Sequence, residues 1–72
     1  MKGADVAVET TLGHEELVLL RLLATGLPTD AVARRLGLSE RTVRRRTRAI
    51  RDQLGFATTV QAIVWAAKRR LL

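Results

Sequence analysis

The chain contains no cysteine, so no disulfide and no thiolate metal site can hold it together. The single histidine, His14, is too few for a metal site of its own. Aromatic residues are almost missing, with only Phe56 and Trp65 present. The core must therefore be built from Leu, Val, Ile and Ala. Alternating apolar and polar runs are also lacking, which argues against strands and for an all-α domain. The longest uncharged apolar run, residues 62–67, is far too short to span a bilayer. Residues 1–11 have no apolar centre of the kind a secretion signal needs. These absences suit a cytoplasmic protein.

What is present is positive charge on a short chain. The 72 residues carry 13 basic and 7 acidic side chains, a net charge of +6. That length makes one small domain, near the lower limit for folding around a single apolar core. A small basic domain calls for a polyanionic partner, either nucleic acid or an anionic membrane surface.

The charge is concentrated in residues 39–54, SERTVRRRTRAIRDQL, where six arginines face only Glu40 and Asp52. Val43, Thr47, Ile50 and Leu54 recur at helical spacing and give this segment a core face. At about 100° per residue, Arg41, Arg45 and Arg48 point away from that face. Arg44 and Arg51 fall on one flank and Arg46 on the other.

Around this helix the chain divides readily. Residues 1–11 mix charges and small residues without a helical period and read as a flexible tail or linker. Residues 12–72 read as the folded domain. A first helix is expected over 12–25, with Gly13 as N-cap and Glu15 and Glu16 in the first turn, where the helix dipole favours negative charge. Leu17, Val18 and Leu22 make it apolar nearly all round, so it is either deeply buried or touches something beyond its own domain. A second helix is expected over 30–36, with Thr29 as cap or Pro28 at the first helical position. Ser39 caps the arginine helix. Thr58 and Gln61 form a capping-box pattern for a fourth helix running to about Arg70. Gly26-Leu27, Gly37-Leu38 and Gly55-Phe56 each pair a glycine with a large apolar residue, a helix-ending signal.

A short second helix, a tight Gly37-Leu38-Ser39 turn and a longer third helix make a helix-turn-helix. The residues themselves are also familiar. Leu12-Gly13-His14-Glu15-Glu16, the run VARRLGLSERTV from Val32 to Val43, Leu54-Gly55 and Gln61-Ala62-Ile63 resemble the LuxR-type, or GerE-like, DNA-binding domain. The resemblance covers about residues 12–72. It implies a bacterial, four-helix, all-α domain that binds duplex DNA and regulates transcription, with its third helix in the major groove. It also implies a homodimer paired through the fourth helix, no cofactor and no catalysis.

Carried over by motif position, base reading falls on Arg44, Arg45 and Arg48, and phosphate contact on Thr42 and Arg46. Arg41 and Arg51 join the phosphate set as the remaining cations of that helix. Pairing falls on Val64, Trp65 and Lys68, and Leu17 and Val18 are candidates for a partner or neighbouring-domain contact. The chain departs from the family at several places. Gly13-His14-Glu15-Glu16 replaces a usual Thr-Pro-Arg-Glu, and Leu17 and Val18 replace charged or polar residues. Arg45 replaces a common apolar residue, Arg46 a common His, Gln53 a usual Lys, Thr59 a common basic residue and Arg70 a common Gly.

Two rival readings use the same residues. One is a basic helical adaptor that binds a protein of the transcription machinery and touches DNA weakly, without sequence preference. The other is a membrane-surface module, disfavoured because the basic helix lacks a broad aromatic-rich apolar face. Glu15 and Glu16 resemble a catalytic carboxylate pair only superficially, because no nucleophile or metal site accompanies them.

Overall fold

The computed structural model describes residues 12–72. Within them the chain forms four helices and no strand: α1 (His14–Ala24), α2 (Thr29–Leu36), α3 (Glu40–Leu54) and α4 (Thr59–Lys68). The proposed tail over 1–11 lies outside the described residues.

α1 and α3 each pack against all three of the other helices, and α3 does so most extensively. Leu19 and Leu20 on α1 meet Val32 and Ala33 of α2, Val43 and Ile50 of α3, and Ala62 and Ala66 of α4 in one aliphatic core. The two alanines of α4 let that helix approach closely. Trp65, Phe56, Leu54 and Leu36 close the margins. The apolar girth of α1 is thereby explained from within the domain. Leu17 and Leu22 are half-buried against the core, and no large apolar residue of α1 is exposed.

The helix ends follow their capping chemistry, with three shifts from expectation. Leu12 precedes α1 and is only 4% exposed, so the chain anchors a core residue before the helix begins at His14. Gly13 is the N-cap of α1 but supplies no side-chain hydrogen bond. Pro28 is the N-cap of α2 and Thr29 its first residue, one position off from both expected arrangements. Pro28 has φ −68° and ψ 159°, an extended conformation in which its missing N–H costs nothing.

α4 stops at Lys68, two residues earlier than expected. Arg70 there adopts φ 58°, and Leu71 N–H reaches back to the Ala66 carbonyl at 2.9 Å. This is the left-handed helix-ending turn that Gly37 and Gly55 make for α2 and α3. Arg70 makes it with a Cβ.

Candidate nucleic-acid interface

The turn between α2 and α3 is set by backbone geometry before any side chain reaches outward. Gly37 sits at φ 68°, and Leu38 N–H bonds the Ala33 carbonyl at 2.9 Å. Leu38 then folds half-buried against the core. Ser39 Oγ accepts the Thr42 N–H at 3.1 Å and its hydroxyl donates to Thr42 Oγ1 at 3.0 Å. The cap fixes the first turn of α3 and leaves the Thr42 hydroxyl proton free to donate outward.

α3 is held along one side and open along the other. Val43 and Ile50 are buried, while Thr47 and Leu54 are half-buried beside them. Arg41, Arg45 and Arg48 are exposed on the opposite arc. None of these three forms an ion pair or a side-chain hydrogen bond among the described residues.

The flanks are different. Arg44 is exposed but bound to Glu40 at 2.9 Å, a pair one helical turn apart. Arg46 leans toward α1 and meets the Glu15 carboxylate at 3.5 Å. Arg51 turns inward: it is half-buried, and its guanidinium donates to the Ala57 carbonyl at 3.2 Å. Its Nε is buried and has no hydrogen-bond partner. Of the sequence-assigned set, the structure thus brings Arg41, Thr42, Arg44, Arg45, Arg46 and Arg48 to the accessible side of α3. It engages Arg51 in the turn that follows.

A second surface lies on α4. Val60 and Val64 are the exposed large apolar residues among those described, at 67% and 45%. Together with Phe56, Gln61, Trp65 and Lys68 they line one shallow groove. Val64, Trp65 and Lys68 thus share one groove. Val60 was not assigned to this surface, yet it stands one helical turn before Val64, and that spacing would have revealed it. Trp65 is half-buried, with the Arg69 guanidinium 5.1 Å from its ring centre. Leu17 and Val18 are elsewhere. Leu17 packs on the core, and Val18 lines a groove with His14, Glu15, Leu36, Leu38 and Arg46.

Among the described residues no His, Cys, Asp and Glu cluster could hold a metal ion. None of the described helices is long and apolar enough to cross a membrane.

A capped, outward-facing basic helix behind a tight turn defines the helix-turn-helix class. Comparison with known proteins then fixes the family. Residues 10–66 match the GerE model, described as bacterial regulatory proteins of the luxR family. The chain belongs to that family, which marks it as a regulator-type helix-turn-helix domain. It is 38% identical over 64 residues to the transcriptional regulatory protein YdfI of Bacillus subtilis, covering 89% of this chain and 30% of that protein. It is 38% identical over 71 residues to the bialaphos biosynthetic pathway regulatory protein of Streptomyces hygroscopicus, covering 99% of this chain and 28% of that one. The nitrate/nitrite response regulator protein NarL of Escherichia coli is 34% identical over 60 residues, covering 83% of this chain and 28% of its own length. The chain thus spans less than a third of each of these relatives.

Proposed function

We propose that the chain binds duplex DNA sequence-specifically, with the outer face of α3 in the major groove and two copies paired through α4, and that it regulates transcription in the bacterial cytoplasm. The observation that carries this reading is the arc of Arg41, Arg45 and Arg48, exposed and without a carboxylate partner among the described residues. The opposite side of the same helix is buried. Such a helix can be pressed into a groove without unfolding anything.

Arginine matches the O6/N7 edge of guanine with two parallel N–H donors, and one such contact discriminates by about 1–3 kcal/mol. Arg44, Arg45 and Arg48 are assigned to base edges, so each half-site should contain guanine. Arg44 is paired with Glu40 at 2.9 Å, an exposed pair one helical turn apart that is weak enough to be exchanged for a base edge on docking. Thr42, Arg41 and Arg46 are assigned to phosphates. With about six phosphates engaged, log K should fall against log salt with a slope near −5. The exposed Val60 and Val64 support pairing of two copies, because they stand one helical turn apart in a shallow groove with Phe56 and Trp65.

Selection from random duplex DNA, with particle mass measured on the selected site, tests this function. A guanine-bearing inverted repeat carrying two copies supports it. Equal retention of all sequences contradicts it and favours the adaptor reading.

A further inference from the structure

Among the described residues one ion pair joins two helices: Arg46 on α3 and Glu15 on α1, 3.5 Å apart and 31 positions apart in sequence. The other two, Arg34 with Asp30 and Arg44 with Glu40, lie within single helices. Both partners of the inter-helix pair line the groove formed with His14, Val18, Leu19, Leu36 and Leu38. Their exposures are unequal, with the Arg46 side chain at 42% and that of Glu15 at 76%. The arginine stem is partly covered while the carboxylate stands almost free in water. Glu15 is thus an accessible anion placed against a cation on the Thr42 flank of α3.

From this we infer that Glu15 sets the affinity of the domain for DNA by competing with backbone phosphate for Arg46. The inference rests on the proposed function and deepens it by naming a positioning residue that acts through another. A guanidinium satisfied by an internal carboxylate must exchange it for phosphate on docking. That exchange weakens binding, requires Arg46, and does not depend on base sequence. An exposed pair of this length is weak, so the penalty is modest, about two- to fivefold in the dissociation constant. It is also screened by salt. Glu15 therefore moderates affinity for every duplex and leaves base choice to Arg44, Arg45 and Arg48.

The test measures binding of the 72-residue chain to a pool of random-sequence duplexes, for the parent, Glu15→Gln, Arg46→Ala and the double variant, across a salt series. Thermal melts of each accompany the binding curves, because a merely structural pair would alter melting and not the salt response. The expected result is about two- to fivefold tighter binding by Glu15→Gln at low salt, fading as salt rises, and a clearly smaller gain in the Arg46→Ala background. Unchanged or weaker binding by Glu15→Gln overturns the inference, and so does an equal gain with Arg46 removed. A parent chain that binds no duplex overturns the proposed function as well. A parent that binds and gains nothing from Glu15→Gln overturns this inference alone.

Discussion

The guanidinium of Arg51 donates to the main-chain carbonyl of Ala57 at 3.2 Å and so ties the last turn of α3 to the turn that leads into α4. The same stretch is closed from the backbone side, where Phe56 N–H bonds the Arg51 carbonyl at 2.8 Å. One residue thus grips the α3–α4 connection from both its ends.

This relationship separates Arg51 from its five neighbouring arginines on α3. Arg51→Ala is expected to lower folding stability by about 1–2 kcal/mol, the range for a hydrogen bond from a charged donor plus lost stem packing. Its effect on the salt slope of DNA binding should be smaller than that of Arg46→Ala. Denaturant midpoints and salt titrations of the two variants check this directly. A variant with unchanged stability and a slope reduced by about one would make Arg51 a phosphate contact instead.

Arg70 offers a stabilising substitution. Its φ of 58° places a Cβ in a conformation that only glycine enters freely. Arg70→Gly should therefore raise stability by about 1 kcal/mol, seen as a higher Tm. Gly55→Ala should do the reverse, because Gly55 has φ 76° at the end of α3. Open space around a Cβ at Gly55 means that the penalty there is conformational and not steric crowding. A lower Tm for Arg70→Gly would contradict the assignment of that residue as a helix-ending position.

The α4 surface is tested by Val64→Glu. Val64 is 45% exposed, so a carboxylate there should leave the monomer folded. It would put charge in the middle of the apolar groove and should cut the protein bound per DNA site from two copies to one. Retention of two copies per site would move the pairing surface elsewhere.

Much of this architecture can be read from the chain itself. Gly37 and Gly55, with the apolar residues that follow, mark two helix ends because only one residue type tolerates that backbone freely. Ser39 and Thr58 mark two starts because their hydroxyls do accept the N–H groups of Thr42 and Gln61. The outward arc of Arg41, Arg45 and Arg48 follows from helical period alone. What stayed hidden depends on neighbours in space. Periodicity places Arg51 on a flank but does not say that the next turn covers that flank. Nothing local to Glu15 points to Arg46, although both are positions where the chain departs from its family. The end of α4 is missed because Arg70 carries no glycine signal. The apolar girth of α1 is ambiguous until three helices are seen to surround it.

The central claim is that Arg45 and Arg48 on the open arc of α3 read bases together with Arg44, while Arg46 on the far flank serves the backbone. The most direct measurement is binding to a library of single-base variants of a selected site, for the parent, Arg45→Ala, Arg48→Ala and Arg46→Ala. The account predicts that Arg45→Ala and Arg48→Ala each lose about 1–3 kcal/mol of discrimination at particular base pairs. Arg46→Ala should weaken all variants alike. An unchanged order of preference in both Arg45→Ala and Arg48→Ala would contradict it.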